Sequence, residues 1–105
     1  MISYVYIIGS DRPPYKVGIS KNPEARLRAL QTGHPDRLRI HHKTETPANR
    51  TKLLETVIHN NLKHSRQTGE WFDLPLDKLL LEVEYVMIRY AEDPILHQIV
   101  RNRIV

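Results

Sequence analysis

The chain has 105 residues, a formal net charge of +4 and no cysteine. This length is sufficient for one domain with one hydrophobic core. The lack of cysteine excludes disulfides, thiolate metal sites and thiol catalysis, and it is compatible with a reducing compartment. The apolar runs are far shorter than the roughly 20 residues that cross a bilayer, and the N-terminus lacks a signal-peptide pattern. We therefore expect a soluble, cytoplasmic protein without a membrane partner.

The positive charge lies in the N-terminal half of the chain. Residues 1–50 hold nine Lys and Arg against four Asp and Glu, a net charge of +5. Residues 51–105 hold seven against eight, a net charge of −1. A positive field on one part of a small domain favours a polyanion such as nucleic acid, although an ordinary solvated surface is the alternative.

Two strands are predicted at the start of the chain. The sequence "SYVYII" at residues 3–8 is β-branched and aromatic, and "GSDRPP" after it supplies residues that end a strand. The sequence "YKVGIS" at residues 15–20 alternates, with Tyr15 expected in the core and with Lys16 and Gly18 on an opposite, polar face. The two strands are expected to form a hairpin.

A helix and a third strand follow. "NPEARLRALQTG" has a capping Asn, a Pro at the first helical position and a closing Gly, which predict a helix from about 23 to 32. "RLRIHHK" at residues 37–43 alternates as a strand does. Its pattern predicts Ile40 on one face, and Arg39 and Lys43 on the other.

The remaining periodicity is helical. Residues from about 48 to 64 carry a wide apolar arc, so this helix is expected to pack on the sheet. Glu55 falls at the border of that arc and His59 lies one turn beyond it. Two further helices are predicted at 77–91 and 95–103.

These elements predict an α+β fold with a three-stranded antiparallel β-sheet flanked by helices, in a β-β-α-β-α order, followed by C-terminal helices. Residues 77–105 are expected to be a C-terminal helical extension of the same single domain. The stretch "RQTGEWFDLP" at residues 66–75 is expected to be a loop. Its Trp71 and Phe72 are expected to pack in the core, with base stacking as the alternative.

Common catalytic templates are missing, because the chain has no glycine-rich phosphate loop and no histidine pair at zinc-binding spacing backed by a third ligand. An ordered set of motifs remains: "VYI" at 5–7, "YKVGISKNPEARLRALQTG" from residue 15, "ETVIH" from residue 55 and "GEWF" from residue 69. In this order they resemble the GIY-YIG nuclease superfamily, in particular a small phage and bacterial branch whose second motif reads KVG. The resemblance covers residues 4 to about 76.

The resemblance implies a nuclease-like core over residues 1–76 and a metal-dependent endonuclease that hydrolyses DNA phosphodiester bonds with Mg²⁺ or Mn²⁺. By position, Tyr6 matches the tyrosine of the first motif, and Lys16 occupies the place of the second-motif tyrosine. Arg26 matches the arginine that contacts the phosphate, and Glu55 matches the metal-binding glutamate. The expected partner is DNA, with RNA as an alternative, no small-molecule cofactor, and a monomer or weak dimer.

Other polar residues are candidates for supporting roles. His59 is a candidate for orienting the metal shell or capping a polar edge, and Glu70 is a candidate second metal ligand. Gly18 permits close approach of a phosphate to the backbone. The candidate phosphate contacts are arginines and one lysine of the basic half, namely Arg28, Arg37, Arg39 and Lys43, and they predict salt-sensitive binding.

Lys16 is the departure from the family pattern. A lysine with an ordinary pKa of about 10.4 is protonated at pH 7 and accepts no proton from water. Three alternatives follow: Tyr6 is the base with Lys16 as its electrostatic helper, Lys16 has a depressed pKa, or the chain no longer cuts. We favour the first.

Two hypotheses compete with an endonuclease. The first is a catalytically inactive nucleic-acid-binding module on the GIY-YIG fold, and the second is a protein interaction domain that uses residues 77–105. Each candidate residue also has a structural alternative, since Tyr6 suits a core strand and Lys16, Arg26 and Glu55 suit a solvated surface.

Overall fold

The computed structural model describes residues 2–92, and the side chains of residues 2–90. In chain order, the elements are β1 (Ile2–Gly9), β2 (Tyr15–Ser20), α1 (Pro23–Gln31), β3 (Arg39–Pro47), α2 (Ala48–Asn61), β4 (Arg66–Thr68), β5 (Trp71–Phe72) and α3 (Leu76–Glu92). A short 3-10 helix at Lys63–Ser65 follows α2. The helix predicted at 95–103 lies outside the described residues.

The strands of the described residues form one antiparallel sheet in the order β3-β1-β2-β5-β4. The α+β class is confirmed, but the sheet has five strands where the sequence predicted three. The two additional strands lie in the stretch that was expected to be a loop, joined by a turn in which Gly69 has a φ of 54°. Strands of three and two residues are too short to show alternation in a sequence.

One face of the sheet carries the larger hydrophobic core. Residues of β1 and β2 such as Val5, Ile7 and Val17 are fully buried there, beneath α2 and with side chains of α3 such as Val83. The predicted packing of the second helix on the sheet is therefore confirmed. None of the helices within residues 2–92 is long and apolar enough to cross a membrane.

The opposite face is covered by α1, through the half-buried Leu27 and Leu30. Its buried cluster contains Tyr6, Ile8 and Leu38. The second face of β2 was expected to be polar, with a solvated Lys16 as the structural alternative. It is instead enclosed, and the ammonium-bearing Lys16 on it is 7% exposed.

A β-bulge alters the register of β3. The pairing with β1 shifts between Ile7 and Ile8, so His41 is an extra residue on β3. Beyond such a residue the alternation of faces is inverted. Ile40 and Lys43 therefore both lie on the face covered by α1, and the expectation that they face opposite ways is wrong.

The helix bounds agree with the sequence to within a few residues. Helix α1 begins at Pro23, and the side chain of Asn22 accepts a hydrogen bond from the backbone N–H of Ala25 at 3.1 Å. Helix α2 ends at Asn61, because the chain tightens into the 3-10 turn where the sequence predicted a continued helix.

Candidate active site

The candidate site surrounds the edge of β2. Strand β5 pairs with only the first two residues of β2, Tyr15 and Lys16. At the next residue, the N–H of Val17 donates to the main-chain oxygen of Glu70 at 3.1 Å. The carbonyl of Val17 accepts a hydrogen bond from Nε2 of His59 at 2.8 Å. The main chain of one residue thus holds a loop residue and a residue of α2 in place.

Three potential metal ligands converge at this edge. Glu55, His59 and Glu70 each offer a ligand atom, and these atoms lie within 4.8 Å of one another. Glu55 is 3% exposed. Because Nε2 of His59 donates to a carbonyl, Nδ1 is the ring nitrogen left to bind a metal.

The donor set of this cluster fits a divalent cation. Carboxylate oxygens are the preferred ligands of Mg²⁺ and Mn²⁺, and water or a phosphate oxygen can complete the coordination. The imidazole of His59 favours Mn²⁺ over Mg²⁺, since Mg²⁺ takes oxygen ligands almost exclusively. Glu55, predicted as the metal ligand, is thus accompanied by His59 and Glu70.

Lys16 is paired inside the protein. Its Nζ lies 2.7 Å from Oε1 of Glu70, and the side chains are 8% and 39% exposed, respectively. Burial acts to raise the pKa of Glu70, but the hydrogen bond and positive charge of Lys16 outweigh it, so the pKa lies below its usual value. The solvated alternative for Lys16 is excluded, and the partner of this cation is Glu70.

The pH dependence of stability tests this pair. A carboxyl whose pKa is lowered on folding stabilises the protein above its unfolded pKa, and the stabilisation is lost as pH falls through the folded pKa. We expect Glu70→Gln to reduce the free energy of unfolding by about 1 to 3 kcal/mol at pH 7, since the buried ammonium of Lys16 loses its counter-charge.

Urea denaturation between pH 7 and pH 3 measures the effect. The difference between wild type and Glu70→Gln should shrink on the acid side of about pH 4, the ordinary carboxyl pKa. Asp73→Asn, at an exposed position nearby in the sequence, is the matched control. An equal loss of unfolding free energy in both variants at all pH values contradicts a stabilising Lys16–Glu70 pair.

Tyr6 lies beside this cluster and is buried. It is 1% exposed. Burial raises the pKa of its phenol, the hydrogen bond and charge of the Arg26 side chain act to lower it, and the charges of Glu70 and Glu55 raise it further. The net shift of the Tyr6 pKa is upward, and Lys16, proposed from the sequence as the electrostatic helper of Tyr6, is not among the groups that act on it. The cation that acts on the phenol is Arg26, which reaches it from the first turns of α1.

Gly18 makes room for the ring of Tyr6. The two residues are cross-strand partners in β1 and β2. A Cβ at position 18 would lie 2.5 Å from Cζ of Tyr6, a distance that side-chain atoms do not tolerate. The glycine is thus explained by a protein contact, where the sequence suggested close approach of a phosphate.

The candidate phosphate contacts are spread over α1, the segment after it and β3. Arg28 and Arg37 line one open cleft beside α1. Arg39 forms an exposed ion pair with Asp11 at 3.1 Å. Lys43 pairs with a glutamate of α1, and its ammonium lies over a tyrosine ring of β1. Two of these four cations therefore have partners within the protein.

Two contacts at the site were not anticipated from the sequence. Lys52 donates to Oε1 of Glu55 at 2.9 Å, a pair whose i, i+3 spacing on a helix could have indicated it. His34 stacks on Trp71 with ring centroids 5.9 Å apart. No local pattern predicts that contact, because the two residues lie far apart in the sequence.

The comparison with known families places this α+β domain in a nuclease-like class. Residues 3–87 match the model of the T5orf172 domain. The chain therefore belongs to the T5orf172 family, a GIY-YIG-like, nuclease-associated domain whose implied partner is nucleic acid. Comparisons with curated proteins and with solved structures give no match.

Proposed function

We propose that the protein is a metal-dependent endonuclease that hydrolyses DNA phosphodiester bonds. The observation that supports it best is the convergence of Glu55, His59 and Glu70 at one edge of β2, beside Tyr6 and Arg26. Carboxylates, a phenol and a guanidinium in one site can supply the metal ligands, the proton acceptor and the positive charge that assist phosphodiester hydrolysis. Family membership supports the same class of activity.

The proposed metal is Mg²⁺ or Mn²⁺, held by Glu55 with help from His59 and Glu70. When bound, such an ion supplies positive charge that stabilises the charge developing on the phosphate. Lys16 keeps Glu70 ionised and in position through the ion pair at 2.7 Å. In this proposal Lys16 is a positioning residue and not the proton acceptor.

Arg26 and Tyr6 carry the remaining chemistry. The guanidinium of Arg26, on the exposed side of the phenol, donates hydrogen bonds to non-bridging phosphate oxygens, whose charge grows in the transition state. Tyr6, in its deprotonated phenolate form, accepts the proton of the attacking water. The charge of Arg26 stabilises the phenolate form and so offsets part of the burial penalty on Tyr6.

The basic N-terminal half supports DNA as the substrate. In this proposal, a DNA strand crosses the surface formed by α1, the segment after it and β3, and its phosphates contact exposed cations there, namely Arg28, Arg37, Arg39 and Lys43. Each neutralised phosphate releases condensed counterions, so the affinity falls as salt rises. Gly18, which the sequence analysis also predicted as a contact to the phosphate, contributes by leaving space for the ring of Tyr6.

One observation favours a second function, a nucleic-acid-binding module without cleavage. The ammonium of Lys16 already neutralises Glu70, and a lysine at this place is a poor proton acceptor. A site in that state still presents the basic surface of α1 and β3. It would bind nucleic acid in a salt-dependent manner without hydrolysis.

Plasmid nicking separates the two functions. Supercoiled plasmid is incubated with the protein in Mg²⁺, in Mn²⁺ and in EDTA at equal ionic strength, and we expect open-circular product only with metal. Arg26→Ala, purified identically, should cleave at least about 100-fold more slowly, since one electrostatic contact to the transition state is lost.

Each outcome of this assay is informative. Equal cleavage by wild type and Arg26→Ala identifies a contaminating nuclease and contradicts the proposal. No cleavage together with salt-sensitive binding supports the binding module. If the protein neither cleaves nor binds nucleic acid, the remaining hypothesis is a protein interaction domain that uses residues 77–105.

A further inference from the structure

A second pocket adjoins the candidate active site on the α1 side of the sheet. It has a volume of about 350 Å³ and lies between the β1–β2 connection, the segment after α1 and the β4–β5 hairpin. Its walls are mainly flat and apolar, formed by Trp71, His34, Leu38 and the prolines Pro13 and Pro35. We call it the Trp71 pocket. Its size is at the lower end of the range for small-molecule sites.

The aromatic wall of the Trp71 pocket is ordered by contacts within the protein. The rings of His34 and Trp71 stack at 5.9 Å between centroids and 23° between planes. The N–H of Asp36 donates to Nδ1 of His34 at 3.1 Å, which fixes the orientation of that ring. Trp71 is half-buried, so its indole remains accessible from the pocket.

Lys16 lies between the wall of the pocket and the candidate active site. Trp71 and Lys16 are cross-strand partners in β5 and β2, so their side chains lie on the same face. The ammonium of Lys16 lies 5.9 Å from the centroid of the indole and 2.7 Å from Glu70. A ligand in the pocket is therefore a neighbour of any group bound at the edge cluster.

Cations also flank the other side of the pocket. An adjoining cleft shares Ser10 and Asp36 with the Trp71 pocket, and it is lined by Arg12 and Arg37 together with the carboxylates of Asp11 and Asp36. An apolar, aromatic pocket with a lysine on one side and two arginines on the other offers a flat wall to a nucleobase and hydrogen-bond donors to the phosphates that flank it. Polar side chains at the rim, such as Gln67, offer donors and acceptors to a base edge.

We propose that the Trp71 pocket binds an unpaired nucleobase of the strand whose phosphate lies at the edge cluster. This inference rests on the proposed function, because the base arrives with the strand that the enzyme would cut. A base within a duplex is stacked and paired, and it must leave the stack to enter a concave pocket. The preferred substrate is therefore single-stranded DNA or duplex DNA with a mismatch or gap at the cleavage point.

Intrinsic fluorescence measures the occupancy of this pocket without any cleavage. Trp71 is the sole tryptophan of the chain, so its emission reports on this site alone. Wild-type protein in EDTA is titrated with single-stranded oligonucleotides, with fully paired duplex and with an abasic sugar-phosphate oligomer of equal length. Binding of each labelled ligand is followed in parallel by anisotropy.

The single strand is expected to quench Trp71 on binding, and the abasic oligomer to bind without quenching and about 5- to 100-fold more weakly. The duplex should bind with less quenching than the single strand. His34→Ala should weaken binding of the single strand but not of the abasic oligomer. His64→Ala, at an exposed histidine that does not line the pocket, is the matched control.

The outcomes separate this inference from the proposed function. Binding of all three ligands with equal affinity and no quenching contradicts the base pocket and leaves a nuclease possible. Equal quenching by the abasic oligomer also contradicts it, since no base is then required. A failure to bind any of the three ligands contradicts the proposed function and the base pocket together.

Discussion

Glu55→Gln is expected to reduce metal-dependent cleavage by at least about 10³-fold, the upper range for loss of one electrostatic group at a reacting centre. Glu55 is the most buried member of the edge cluster and the one that family position assigns to the metal. The amide has nearly the same shape but carries no negative charge, so it is a poor ligand for a hard cation. Plasmid nicking in Mn²⁺ and Mg²⁺ measures the loss.

A separate readout tests whether Glu55 acts through metal. Binding of Mn²⁺ should raise the melting temperature of wild type, because a ligand that binds only the folded state stabilises it. That shift should vanish in Glu55→Gln. The melting temperature without metal should change little, because Lys52, the ion-pair partner of Glu55, is largely solvated.

Glu84→Gln is the matched control for Glu55→Gln. Glu84 is exposed on α3, and the substitution makes the same change in net charge. It should leave both cleavage and the Mn²⁺ shift at wild-type values. Wild-type cleavage in Glu55→Gln would show that this carboxylate is not a metal ligand.

Tyr6→Phe is expected to lower the cleavage rate by about 10² to 10⁴-fold, the usual contribution of a positioned general base. The ring that fills the space above Gly18 is retained, and only the hydroxyl is lost. Binding of DNA should be unchanged, because the phenol is buried and its hydroxyl faces Arg26. The effect should therefore appear in the rate constant at saturating DNA.

The pH profile distinguishes a proton acceptor from a structural tyrosine. A base acts in its deprotonated form, so the wild-type rate should rise with pH below the pKa of the base. Burial raises the pKa of Tyr6 over the opposing effect of Arg26, so the rise should continue well into the alkaline range. In Tyr6→Phe, the residual rate should be less dependent on pH.

Tyr4→Phe is the matched control for Tyr6→Phe. Tyr4 lies on the same face of β1, half-buried, and its hydroxyl donates to Glu45 at 3.5 Å. Removal of that hydroxyl should change neither the rate nor its pH profile. If Tyr6→Phe instead cleaves at the wild-type rate, Tyr6 is not the base, and Lys16 becomes the remaining candidate.

The sequence predicted those helices and strands whose formation depends on residues close together in the chain. Helix α1 follows from an Asn cap, a first-turn Pro and an apolar stripe, and β2 follows from strict alternation. The bulge at His41 was not predictable, because it is defined by the partner strand and leaves no mark on the sequence of β3. The same applies to β5, whose pairing depends on an edge that β2 provides.

The resemblance to a nuclease family supplied the members of the site, and the fold supplied their contacts. Tyr6, Arg26 and Glu55 were named from their positions in motifs. The pairing of Lys16 with Glu70, 54 residues later, was beyond local patterns, and so was the burial of that lysine. Both depend on how β5 docks beside β2.

The main-chain bonds of Val17 have a consequence for how such proteins diverge. Its N–H and carbonyl hold Glu70 and His59, so the geometry of the cluster depends on the backbone at this position and not on the side chain. Any residue of similar volume that suits the core can replace valine there without disturbing the chemistry. The amino acid at a position that determines the geometry of the site can therefore vary, and sequence comparison alone would overlook that position.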